Sequence, residues 1–149
     1  MKIIDVENIK DASVFRKTHT VDGITFLSID ECKVVLEASN NNLETIKKWF
    51  DLIGVKYDDI NINNGTYITY SVNKNVLQLA DLSSGERYIL YLMACKSLNK
   101  KVIANGLFER LCSRLQKVVC NELVDYDNLI VVYYNDFPIK LKNYIVKEL

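Results

Sequence analysis

The chain has one histidine, one proline and one tryptophan in 149 residues, and no excess of charge of either sign. Each shortage excludes something. With His19 alone there is no Ser-His-Asp order, no Cys-His pair and no H-E-x-x-H, so hydrolytic acid–base chemistry has few players. Cys32, Cys95, Cys112 and Cys120 form no C-x-x-C pair, and His19 lies far from most of them, so zinc is not expected. Cys95, Cys112 and Cys120 sit in apolar helical patterns, where cysteine behaves as a small core residue. Lys+Arg and Asp+Glu are both 19, so no global field draws the chain to DNA or an anionic membrane, and direct DNA binding is not predicted. No apolar run approaches the roughly 18 residues of a membrane span. Met1–Glu7 alternates with acids, unlike a signal peptide. Cytoplasmic placement with reduced thiols is the expectation.

What is present is an ordinary globular composition, 49% hydrophobic and 26% charged. The length fits one domain, 1–149, with a strand-rich half to about residue 75 and a second half from about 76. Residues 2–9 alternate as a strand. Val21-Asp22-Gly23 reads as a turn and Ile24–Ile29 as a strand. Lys33–Ala38 is compatible with helix or strand. Leu43–Ile53 places Leu43, Ile46, Phe50 and Ile53 on one helical face, with Gly54 as its stop. Residues 56–66 read as polar turn chemistry, Tyr67–Val72 as a strand and Asn73-Lys74-Asn75 as a turn. Helix is expected from about Ser84 to Leu98, a strand at Lys101–Gly106, helix again over about Leu107–Val124, and a strand at Leu129–Tyr134 buried on both faces. This helix–strand alternation predicts an α/β fold with adjacent parallel strands and sites at their carboxyl ends, where Asn105 and Asn135 fall.

The most informative stretch is Leu82-Ser83-Ser84-Gly85-Glu86-Arg87. Ser83 and Glu86 have the spacing of a capping box. Ser83, Ser84 and Gly85 also bring hydroxyls and backbone N–H groups to a helix N-terminus, where phosphate is favoured. With the order of elements around it, this stretch resembles the L-S-x-G-[QE] signature of an ABC-type ATPase head, of the SMC and recombination-repair (AAA-type) kind. Ile3–Lys10, ending Asn8-Ile9-Lys10, is similar to that family's first strand. Gly23–Leu27 is similar to the strand feeding the phosphate loop. The resemblance implies a P-loop-NTPase-like mixed or parallel sheet flanked by helices, with a degenerate phosphate loop.

The departures from the family pattern matter as much. A Walker A loop needs glycines to wrap phosphates, then a lysine and a hydroxyl. Here Leu27–Val35 has no glycine. Lys33 falls at the lysine position, Val34 and Val35 replace the hydroxyls, and Asp30 and Glu31 put acid where phosphate would sit. At the Walker B position Asn105 and Gly106 replace the two acids that serve magnesium and base chemistry. Asn135 stands at the switch-histidine position, and Leu111-Cys112 at the D-loop. A coiled-coil arm, if reduced to a remnant, is expected at residues 54–66.

The resemblance therefore implies a pseudo-ATPase: not an enzyme, with no catalytic residue, no metal and no cofactor in a site of its own. It implies a homo- or hetero-oligomer, preferably with an active ATPase, whose ATP would meet Ser83, Ser84, Gly85 and Glu86 in trans. The alternative is a protein–protein interaction module that kept the fold and lost every nucleotide role. A third reading is another α/β enzyme using Asp58, Asp59, Asp125 and Asp127 to hold a cation.

Overall fold

Ser83 caps a helix whose residues Tyr88 to Cys95 are buried without interruption. An α-helix that is apolar all round must run through a core, and this one does. The computed structural model describes residues 1–5, 20–22, 31–105 and 111–133. In chain order the elements are β1 (Lys2–Asp5), β2 (Thr20–Asp22), α1 (Glu31–Ser39), α2 (Leu43–Ile53), β3 (Asp59–Asn63), β4 (Tyr67–Val72), β5 (Asn75–Gln78), a 3-10 turn at Leu79–Asp81, α3 (Ser84–Ser97), β6 (Val102–Asn105), α4 (Ser113–Glu122) and β7 (Leu129–Tyr133). The architecture is mixed α/β, with helix α3 packed against α1, α2 and α4.

Four strands form a parallel sheet in the order β1-β7-β6-β2. Consecutive strands β6 and β7 are adjacent, joined across α4, as the alternation predicts. Val102, Ile103 and Ala104 are buried in succession, as are Val131 and Val132, so the middle strands are covered on both faces. The second sheet is antiparallel, β3-β4-β5. Its inner face carries Ile60, Ile68 and Tyr70, and Phe50 of α2 meets Tyr70 and Tyr57 edge to face. The buried apolar residues form one core cluster spanning α1–α4, both sheets and the loops between them.

Several local expectations hold for the predicted reasons. Helix α2 covers Leu43–Ile53 and Gly54 closes it with φ 83°; its N-cap Asn42, which the sequence reading does not name, accepts from Glu44 and Thr45. Asn73 and Lys74 have φ 50° and 69°, a two-residue hairpin turn of the left-handed type. Lys33–Ala38, left open between helix and strand, is helical within α1.

Others are corrected. The polar reading of residues 56–66 hid Ile60 and Ile62, which alternate into the core and make strand β3. The segment is one arm of a tight β-hairpin with Asn64 and Gly65 at positive φ, so no remnant of a coiled coil lies there. Thr20–Asp22 is a strand, not the turn read at Val21-Asp22-Gly23, because pairing with β6 supplies its backbone partners. Gly23–Leu27, the expected phosphate-loop strand, lies outside the described residues. Helix α4 covers Ser113–Glu122, with Leu111 and Cys112 before it non-helical; the part of the expected helix at 107–110 lies outside the described residues. Leu111 reaches the core from the chain just before the helix, and Gln116 Nε2 donates to its carbonyl at 3.2 Å. Cys112 is correspondingly the exposed N-cap of α4 and not a core residue.

Candidate functional site

The turn before α3 is built by reciprocal hydrogen bonds. Glu86 N–H donates to Ser83 Oγ at 3.2 Å and Ser83 N–H donates to Glu86 Oε1 at 3.1 Å. This closes the capping box predicted from the spacing. Ser83 and Ser84 are exposed, Gly85 is buried and Glu86 is partly buried. Gly85 is not among the positive-φ residues, so it does not serve a left-handed backbone there.

The second oxygen of Glu86 is engaged within the chain. Arg114 Nη2 on α4 lies 3.4 Å from Glu86 Oε2. Arg114 Nη1 donates to the carbonyl of Ile53, at the C-terminus of α2. One guanidinium thus meets the negative end of α2 and a carboxylate in the first turn of α3. Glu86 closes the cap and ties α3 to α4; the expected contact of Glu86 with a partner would have to share it with Arg114.

A second clasp joins α3 to α1. Arg87 Nη2 lies 2.6 Å from Glu31 Oε1, and Arg87 Nε donates to Glu31 Oε2 at 3.1 Å. The side chains are 14% and 9% exposed, which makes this a nearly buried bidentate fork. Glu31 opens α1. The chain's own carboxylate occupies that first turn, where the helix dipole favours negative charge. Lys33 sits two residues further on, on the exposed surface of α1.

The remaining site positions are placed by backbone. Asn105 is the last residue of β6. Gly106 and Asn135 lie outside the described residues. Register sets Asp22 beside Asn105 and Asp5 beside Tyr133, so the carboxyl ends of β2, β6, β7 and β1 form one row. Sequence reasoning missed Asp5 and Asp22 as members of that edge. The signal was an acid ending a short β-branched run, and at Asp22 a turn reading masked it.

Three of the four aspartates of the third reading, Asp58, Asp59 and Asp125, have structural partners. Asp58 Oδ2 accepts from Asn73 N–H at 2.8 Å, and Asp59 Oδ1 from Ile60 N–H at 2.9 Å. Asp125 accepts from Lys96 Nζ at 2.7 Å, and that bond holds its carboxyl below the usual range. No group of three or more His, Cys, Asp or Glu is arranged to hold a metal among the described residues. Among the same residues, no helix is long and apolar enough to cross a membrane. The groups with raised pKa values lie mainly in the core. Burial pushes Tyr91 and Tyr126 upward, and Cys95, hydrogen-bonded to Tyr91, is raised by burial as well.

The arrangement offers two exposed serines at the start of a 14-residue helix, backed by two arginine clasps. It can present hydroxyl and helix-terminal donors to an anion arriving from outside. No protein-family model matches the chain, and no curated protein matches it.

Proposed function

We propose that the chain is a catalytically inactive subunit of the ABC-ATPase-head type, P-loop-NTPase-like in fold, that works in the cytoplasm beside an active ATPase. In this reading Ser83 and Ser84 contact the γ-phosphate of ATP held by the partner, and Gly85 leaves room for close approach. The chain has no nucleotide, metal or catalytic residue of its own. The observation that supports it is the contrast between two helix starts. At the start of α1 the acid Glu31 is forked onto Arg87. At α3 the serines are exposed. Titration of the purified chain with magnesium and ATP tests the first half: no binding and no turnover are expected. Tight magnesium-dependent binding with hydrolysis would overturn the reading.

The interaction-module reading has one observation in its favour. Ser83 and Glu86 already satisfy each other as a capping box, and Arg114 takes the other oxygen of Glu86, so the stretch has a complete structural role without nucleotide. The substitutions at Ser83 described in the Discussion separate the two.

A further inference from the structure

Strand β5, Asn75–Gln78, is the end strand of the antiparallel sheet. Its hairpin register fixes which backbone groups face outward. Val72 and Asn75 flank the two-residue turn and form the hydrogen-bonded pair that closes it. Narrow and wide pairs alternate along an antiparallel ladder, so Ser71 and Val76 are a wide pair. The N–H and C=O of Val76 therefore point away from β4, to the open edge. Gln78 also points outward, and its N–H is taken by Asp81 Oδ2 at 2.7 Å. The outward backbone pair of Val76 remains as the template.

The side chains mark the same place. Val76 is 73% exposed, far more than Tyr67 at 38%, the other exposed large hydrophobic of the described residues. The strand Asn75-Val76-Leu77-Gln78 carries neither charge nor proline, the devices that blunt an open edge. Charge appears only beyond its ends, as Lys74 before it and Asp81 after it, both exposed. Neither makes an ion pair among the described residues.

We propose that β5 pairs antiparallel with β5 of a second copy of this chain, about a two-fold axis at Val76. The two valines exchange N–H···O=C bonds and cover each other on the outer face, giving a continuous six-stranded sheet. The charges beyond the two ends of the strand, Lys74 and Asp81, select this occupant and direction. Antiparallel pairing brings the Lys74 end of each strand beside the Asp81 end of its mate, whereas parallel pairing sets lysine by lysine and aspartate by aspartate. The arrangement is isologous, as two-fold symmetry requires. With a net charge of zero, two copies meet without long-range repulsion. A four-residue edge buries far less than the roughly 1,600 Å² of a standard interface, so the pair is weak and concentration-dependent. The inference does not rest on the ATPase-like reading.

Sedimentation equilibrium of the full chain over a concentration series tests it, together with hydrogen exchange read at the Val76 amide. The average mass should climb toward twice that of one chain, and Val76 exchange should slow as concentration rises. Val76→Lys, at a position already open to solvent, should keep the circular dichroism spectrum and abolish both effects. A wild-type chain that stays monomeric throughout overturns the proposal. So does association that leaves Val76 exchange unchanged, or that persists in a folded Val76→Lys chain.

Discussion

Arg87 and Glu31, 56 positions apart, meet in a bidentate fork of 2.6 and 3.1 Å that locks the start of α3 to the start of α1. The same carboxylate lies in the first turn of α1, where the helix dipole favours negative charge. Removing one partner leaves a nearly buried charge. Arg87→Ala is expected to lower stability by about 3 kcal/mol, measured by urea denaturation. Replacing both residues with apolar ones of similar volume should recover most of that loss. If the single change costs no more than a surface pair, the fork does not hold α1 to α3.

Ser83 separates cap from phosphate contact. Ser83→Ala should cost about 1 kcal/mol, the value of a lost N-cap. Ser83→Asp should keep the cap, since aspartate caps as well as serine and suits the positive end of the helix. A carboxylate there repels γ-phosphate. When the chain is copurified with an active ATPase head, Ser83→Asp should therefore retain stability and lose stimulation of turnover. Retained stimulation would favour the interaction-module reading.

Gly54 is held by two demands at once. Its φ of 83° disfavours any side chain, and an added Cβ would lie 2.7 Å from Arg114 Nη1. Gly54→Ala should destabilise by about 1–2 kcal/mol from the backbone alone, with more from displacing the guanidinium. In an Arg114→Ala background the second part disappears, so a double-mutant cycle should be non-additive. Additive effects in thermal unfolding would separate the glycine from the arginine.

High pH should unfold the protein through its buried phenols. Burial, with Cys95 nearby, raises the pKa values of Tyr91 and Tyr126 above the ordinary one near 10. The unfolded phenols then lose their protons first. Stability is full below about pH 10 and falls as the pH climbs beyond it. A spectrophotometric titration should show part of the tyrosinate absorbance appearing only as far-UV circular dichroism is lost. Tyrosinate formation complete before any unfolding would contradict this.

Local chemistry was legible wherever it was self-contained. Gly54 stops α2, Ser83 and Glu86 make the capping box, and Asn73-Lys74 turns the hairpin, because each depends on neighbours within a few residues. Strand β3 was missed because two isoleucines among five residues are a faint period until a neighbouring strand pairs with them and helix α2 packs on the strand. Strand β2 was missed because three residues cannot announce a partner more than 80 positions away. In the candidate site, the capping residues could be named in advance. The partners Arg114 and Glu31 could not, since nothing in the chain relates residue 114 to 86, or 31 to 87, before the helices pack.

By itself the sequence determined the stop of α2 and the start of α3, the hairpin turn, the buried strand β7 and the lack of a glycine cradle at Leu27–Val35, since each follows from local sterics, capping or patterning. Tertiary structure alone decided that the carboxyl ends of four strands form one row, that Glu31 is forked onto Arg87, and that Glu86 is shared between its own cap and Arg114. Those outcomes depend on contacts across long stretches of chain, whose geometry exists only after the apolar faces have found one core.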